Sequence, residues 1–288
     1  MPLLHFLSLF ALGACVGSFL NVVIYRLPLR KSLLTPPSFC PRCGQALRAR
    51  DNLPLIGWLW LRGRGRCCGA PISARYPAVE LLTALLWGVT AVVVAAPRYG
   101  VATDAGLLTA HLVFIAALIA VVFIDADWQI IPDALSLGGL GAALAASAAL
   151  PVLHAEALAE YPAVNARLVA FLAAFFGAAV GAAAAYGVSL LGTFLYRRQL
   201  REIRRDHPEI DSVLGLGDVK LMAFFGAFFG AAGALTIFVL GTFYGALFGL
   251  IQRWRGGVVI PFGPFLAAGA LTWLFFAAPL RDFISVLF

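Results

Sequence analysis

Charge is scarce in this chain. Only 12% of its 288 residues are charged, about half the share found in soluble domains. Acid is scarcer than base, with 14 Asp and Glu against 21 Lys and Arg, for a net charge of +7. Cysteine is also sparse. Four of the five cysteines fall in one polar stretch, which excludes a disulfide-stapled secreted scaffold and favours a metal site or reduced thiols. The low charge, together with 62% hydrophobic residues, excludes disorder and collagen-like repeats. What fills the chain instead is a series of apolar runs about 20 residues long, the length needed to cross a hydrocarbon core of about 30 Å. The chain reads as an all-α polytopic membrane protein with about eight transmembrane helices. In a soluble chain the positive charge would point to nucleic acid; here no nucleic-acid partner is expected, because the basic residues follow membrane topology.

The expected spans cover about 2–25, 78–97, 107–124, 134–150 and 166–196, then 219–251 and 259–283. The 219–251 stretch is read as two short spans because Gly226, Gly230 and Gly233 favour a break. Leu12-Gly13-Ala14-Cys15 imitates a lipoprotein cleavage box, but the apolar run continues to Ile24 as a retained span would. Cys15 then reads as a small apolar residue within the span. With the amino terminus outside, segments 26–76, 125–133, 197–220 and 252–258 share one side. They hold 18 of the 21 basic residues, leaving Arg98, Arg167 and Arg281 opposite. Basic residues accumulate on the cytoplasmic side, so these four segments are assigned there.

Two acid clusters lie where apolar sequence meets this face: Asp125-Ala126-Asp127-Trp128-Gln129-Ile130-Ile131-Pro132-Asp133, and Gly215-Leu216-Gly217-Asp218-Val219-Lys220. Ionised carboxylates are costly at the membrane unless paired, wetted or functional. The topology brings Asp125 and Asp218 to one face although 93 positions separate them. Two acids in a partly dry site cannot both ionise easily, so the pair can hold a water between a base and an acid and hydrolyse a peptide bond. Gly215 and Gly217 permit unusual backbone conformations or close approaches beside Asp218, which is expected at a helix start. Pro132 is expected to take the Asp125 region out of the helix. The plainer readings are structural: Asp133 as an N-cap, Asp127 as a solvated interface residue, Lys220 as an interfacial anchor or a charge acting on a nearby carboxylate, and Glu80 as a helix-start carboxylate or a group holding substrate or methyl donor.

Cys40-Pro41-Arg42-Cys43 forms a metal knuckle, and Cys67-Cys68 begins 24 residues after Cys43. Four thiolates suffice for a tetrahedral structural zinc site. The second pair is adjacent rather than spaced as C-x-x-C, and the alternative is reduced thiols packed by Trp58, Trp60 and Leu61. No histidine lies nearby to complete a mixed catalytic site.

Gly17-Ser18-Phe19-Leu20-Asn21-Val22-Val23-Ile24-Tyr25-Arg26-Leu27-Pro28, the cysteine loop, Pro71 to Glu80, and the two aspartate motifs occur in one order along nearly the whole chain. Together they resemble the type IV prepilin peptidases (prepilin leader peptidase/N-methyltransferases), which are GxGD aspartic proteases. The resemblance implies catalytic Asp125 and Asp218, which would cut the basic leader from type IV prepilins and type II secretion pseudopilins. It further implies N-methylation of the new amino terminus by S-adenosylmethionine, and a multi-pass place in the bacterial inner membrane beside membrane lipid, with the active site facing the cytoplasm. The implied organisation is a first transmembrane helix at 1–26, a cytoplasmic, methyltransferase-associated cysteine loop at 27–77 and a peptidase domain at 78–288. Aligned through Cys68-Gly69-Ala70-Pro71-Ile72, the family's second C-x-x-C puts Gly65 where its first cysteine belongs, so Cys67 would have to substitute. Two rivals remain at this point. A proton-coupled transporter would use interfacial carboxylates to relay protons. A non-enzymatic scaffold would leave the paired acids without a role.

Overall fold

The computed structural model describes residues 2–94, 105–198, 200, 212–253 and 261–287. Parts of the expected cytoplasmic segments 197–220 and 252–258 therefore lie outside the described residues. Among the described residues the long elements are all helices. The chain divides into two compact units, Met1–Ile124 and Asp125–Phe288.

The first unit contains α1 (Pro2–Arg26), the short α2 (Ile56–Trp60), α3 (Arg75–Val94) and most of α4 (Ala105–Trp128). Helices α1 and α3 pack backbone to backbone because Gly13 and Gly17 leave room. A Cβ on Gly17 would lie 2.6 Å from Cα of Glu80, and one on Gly13 2.9 Å from Cα of Ala84. This is the small-xxx-small spacing that lets helices approach where no hydrophobic gradient drives them together. The loop between them is tied down by polar contacts. Arg26 donates to the carbonyls of Ser32 and Pro36, and the Trp58 indole donates to the Ile72 carbonyl. Glu80 is not a helix-start carboxylate. It is the sixth residue of α3, is buried, and accepts the Leu55 N–H at 2.7 Å, which pins α2 to the span.

The second unit contains the last turn of α4, α5 (Asp133–Ala149), α6 (Ala155–Glu160), α7 (Ala166–Leu195), α8 (Leu216–Arg253) and α9 (Gly263–Leu287). After α5 the chain bends by 100° into a 3-10 turn and α6. Six helices are long and apolar enough to cross a membrane, and seven when α5 and its bent continuation count as one span. Helix α8 is itself folded back on Gly230, whose φ of 75° and ψ of 179° only glycine adopts cheaply. A Cβ on Gly181 of α7 would meet the Met222 carbonyl at 2.3 Å and Ala234 Cβ at 3.4 Å, so those two groups are within about 6 Å of each other. In a straight helix twelve residues rise about 18 Å. The expected break in this stretch is therefore at Gly230, while the expected count of eight spans is only approximate against the six or seven that the described helices support.

A break in a membrane helix frees backbone groups that hydrocarbon does not tolerate unpaired. Buried His154 supplies one donor. It bonds the Ala227 backbone and, through Nε2, Ser147 Oγ at 3.0 Å. The first leg of α8 runs against α7 at glycine contacts, and the second packs antiparallel to α9 through Gly241 against Leu266 and Gly269 against Ile237. That antiparallel return places the start of α9 at the same end of the unit as the start of α8.

Candidate active site

Asp125 lies in the last turn of α4, a helix whose Phe114, Ile115, Leu118, Val121 and Ile124 are fully buried. The expectation that Pro132 draws Asp125 out of the helix is corrected. The helix runs on to Trp128 and ends at Gln129, whose φ is 53° and whose N–H closes onto the Asp125 carbonyl. Only 6% of Asp125 is exposed, and its Oδ2 accepts the backbone N–H of Gly263 at 2.9 Å.

Asp218 is the third residue of α8, and its Oδ2 accepts the N–H of Gly215 at 3.2 Å. A first-turn carboxylate that reaches back to the residue before the helix is half of a capping box. Asp218 is half-buried and lies within electrostatic range of Asp125. Each acid thus has one oxygen fixed by a glycine amide, and Oδ1 of each makes no hydrogen bond among the described residues. The close approach expected at the glycines is found at Gly217, where a Cβ would sit 3.2 Å from Ile131 Cβ. That contact brings the Ile-Pro-Asp segment against the Gly-x-Gly-Asp turn. Gly215 and Gly217 do not have left-handed φ, so the conformational half of that expectation is corrected.

Asp133 does not cap α5. Pro132 holds the cap position without a side-chain bond, and the Asp133 carboxylate accepts from Lys220 Nζ at 2.6 Å. Lys220 is therefore engaged by Asp133 and does not bond either member of the acid pair. Asp127 is exposed. Gly263 was not among the residues singled out in the sequence. The signal that points to it is Pro261-Phe262-Gly263-Pro264, since proline favours the first turn of a helix and this one follows a basic segment on the same face as the acids.

The four cysteines Cys40, Cys43, Cys67 and Cys68 come together, with all sulfurs within 4.8 Å of one another. Two hairpins carry them. Each is marked by an isolated bridge, Phe39 to Ala46 and Arg64 to Pro71, and by matching bonds: Gly44 N–H to the Cys40 carbonyl, and Gly69 N–H to the Gly65 carbonyl. Gly65 therefore occupies the place of Cys40 in the second hairpin, and Cys68 that of Cys43. Cys67, one residue off the knuckle position, swings its sulfur to 3.3 Å from Cys43 and 3.8 Å from Cys68, while Cys40 and Cys68 lie 3.7 Å apart. A tetrahedron with metal–sulfur bonds of about 2.3 Å has edges of about 3.8 Å, so the donor set fits zinc despite its adjacent pair. The backbone N–H groups of Cys43 and Arg42 hold the Cys40 thiol down to about 6, which favours the thiolate a metal needs. Bonding to Cys43, together with burial, pushes Cys67 up to about 12. Cys15 stands apart within α1.

A cavity of about 70 Å³ in the loop is lined by Arg50, Asp51, Gly57, Trp60, Leu61 and Arg66, and Arg66 Nε bonds both Asp51 oxygens. It admits one or two waters and falls well short of the 300 Å³ or more typical of a drug-sized ligand, so it does not fit S-adenosylmethionine.

Residues 11–94 match the family model for the bacterial peptidase A24 N-terminal domain, and residues 112–250 match the model for the type IV leader peptidase family. A prepilin leader peptidase/N-methyltransferase of Aeromonas salmonicida is 33% identical over 305 residues, covering 95% of this chain and 92% of that protein. The chain belongs to the type IV leader peptidase family. Two more prepilin leader peptidase/N-methyltransferases are each 42% identical over part of the chain. The match to Myxococcus xanthus spans 197 residues, 67% of this chain and 56% of that protein. The match to Aeromonas hydrophila spans 168 residues, 49% and 55%. Against these two relatives the chain matches little more than half their length. No solved structure matches. Nothing in the family membership or the geometry supports the transporter reading: the acids of this leader peptidase family member sit in end turns of helices, not at mid-span.

Proposed function

We propose that this protein is a membrane aspartic endopeptidase. Its substrates are type IV prepilins and type II secretion pseudopilins, cut at the junction between a basic leader and an apolar helix, on the cytoplasmic face of the bacterial inner membrane. Asp125 and Asp218 are the catalytic residues in this reading. The observation that carries it is the meeting of two acids from separate helices, each with one oxygen fixed by a glycine N–H and one unbonded among the described residues. With one carboxyl protonated and one ionised, the ionised group takes a proton from water as that water attacks the scissile carbonyl. The protonated group gives its proton to the carbonyl oxygen, and the diol collapses as the leaving amine is protonated. A substrate helix lying among the spans, its leader in the cytoplasm, presents its cleavage junction at this level. The distribution of basic residues supports the cytoplasmic assignment. Apolar side chains exposed on α7, such as Phe171, Phe175 and Phe176, face lipid in this setting.

The 27–77 loop, as a methyltransferase-associated segment, serves methylation of the new amino terminus by S-adenosylmethionine, with 78–288 as the peptidase region. Cys40, Cys43, Cys67 and Cys68 are the zinc ligands in the same reading. When bound, the ion supplies a cross-link between the two hairpins and no step of the peptide cleavage. The test is purified protein incubated with a prepilin, with and without methyl donor. Cleavage without donor and methylated product with it are expected, and Asp125→Asn or Asp218→Asn abolishes cleavage while the protein still inserts. Cleavage retained in either Asn variant refutes the catalytic assignment, and no cleavage by the unaltered protein refutes the function.

A further inference from the structure

Asp125 has its closest polar contact 138 positions away in the chain, where the buried N–H of Gly263 meets Oδ2 at 2.9 Å. Gly263 is the first residue of α9, one of the positions whose N–H has no partner within its own helix. Pro264 follows and carries no N–H, and the next amide, Phe265, turns back to the Phe262 carbonyl at 3.0 Å. The first turn of α9 therefore offers Asp125 a single donor, at the end where the helix dipole favours negative charge.

The space around Gly263 separates a packing role from one directed at the carboxyl. A Cβ on Gly269, one and a half turns along the same helix, would meet the Ile237 carbonyl at 2.7 Å, so that glycine serves contact with α8. A Cβ on Gly263 would meet Asp125 alone among its nearest atoms: Oδ2 at 2.6 Å, Cγ at 3.2 Å and Cβ at 3.4 Å. Gly263 also lacks a left-handed φ, so its own backbone conformation does not require glycine. The carboxyl does. By contrast a Cβ on Gly215 would be an ordinary 3.5 Å from Asp218 Oδ2.

We propose that Gly263 is a positioning residue for the peptidase reaction: its N–H orients Asp125, and its missing side chain leaves room for the carboxyl. This rests on the reading of Asp125 as catalytic. Among the described residues the other titratable group facing Asp125 is Asp218, and Lys220 is engaged by Asp133. The experiment compares prepilin cleavage by the full-length protein in detergent with cleavage by three variants: Gly263→Ala, a backbone ester at position 263 that deletes the N–H without adding volume, and Gly269→Ala. A displacement near 1 Å can cost on the order of a hundredfold in rate, so kcat falls ten- to a hundredfold in Gly263→Ala while KM stays within about twofold. In the ester variant kcat also falls, and the acid limb of the pH–rate profile moves to higher pH, because a carboxylate that loses a donor holds its proton more tightly. Gly269→Ala lowers thermal stability and leaves the pH profile in place. If the unaltered protein cleaves while Gly263→Ala and the ester both keep its kcat and pH profile, the positioning role is wrong. If Gly263→Ala does not fold, the ester variant alone decides. If the unaltered protein does not cleave at all, the proposed function fails and the positioning role falls with it.

Discussion

The contact between α7 and the first leg of α8 sets the position of Asp218, and it can be tested by adding one methyl group. A Cβ on Gly226 would lie 2.0 Å from the Gly177 carbonyl oxygen, and a Cβ on Gly177 would lie 2.2 Å from the Gly226 carbonyl oxygen. Both obstacles are backbone, so no side chain can rotate away. To restore ordinary contact in Gly226→Ala the two helices must part by about 1.4 Å along that line. A gap of 0.5–1 Å already forfeits a quarter to a half of each pairwise dispersion well, and the loss is shared by neighbouring turns, including Gly181 against the Met222 carbonyl. Overpacking usually costs about 1–3 kcal/mol, and backbone against backbone belongs at the upper end. A loss near 3 kcal/mol lowers the unfolding midpoint by roughly 6–12 °C in a chain this size. Gly187 lies on α7 with nothing within 4 Å of its Cβ position, so Gly187→Ala leaves the midpoint unchanged or raises it slightly through helix propensity. Tryptophan fluorescence during thermal unfolding in detergent reads both variants. Cleavage falls with Gly226→Ala, since Asp218 is two turns away on the displaced leg. Equal midpoints for Gly226→Ala, Gly187→Ala and the parent would mean that the backbones are not in contact and that the hairpin at Gly230 is wrongly described.

Three further outcomes follow from other contacts. Zinc content measured by mass spectrometry drops below one ion per chain in Cys67→Ser and returns when Gly65→Cys is added, because a Cβ at Gly65 falls 3.7 Å from the Cys67 sulfur in the place equivalent to Cys40; a double variant without metal refutes the shifted-ligand reading. His154→Leu removes the bond to the Ala227 backbone beside the Gly230 break and lowers stability by about 1–3 kcal/mol, with His154→Gln recovering part of it in the same melting assay; a His154→Leu midpoint equal to the parent counts against that contact. Lys220→Ala changes stability by less than about 1 kcal/mol, since the partnered Asp133 side chain is 62% exposed and such pairs are weak; loss of cleavage in this variant would show that Lys220 acts on the acid pair after all.

Much of the site was legible in the residues because membranes constrain sequence so strongly. Apolar length alone announces a span, and the bias of Lys and Arg fixes which ends share a face, so the sequence suffices to assign Asp125 and Asp218 to one side. The Gly226, Gly230 and Gly233 pattern announced a break in α8. What single residues do at a helix end was less legible. Asp133 looked like a cap and is an ion-pair partner, because Lys220 from another helix competes for it. Asp125 looked as though it would leave its helix, but the turn at Gln129 lets α4 continue past it.

By itself, the amino-acid sequence determined the membrane class, the common face of the acids and the clustering of cysteines into one loop, since hydrophobic length, charge bias and ligand spacing are properties of short stretches. Only the tertiary structure decided that α8 doubles back at Gly230, that Cys67 brings its sulfur in among those of Cys40, Cys43 and Cys68, and that Gly263 presents its N–H to Asp125. Each of those depends on groups far apart in the chain approaching to within a few ångströms, and such approach is set by backbone clearance that local pattern does not encode.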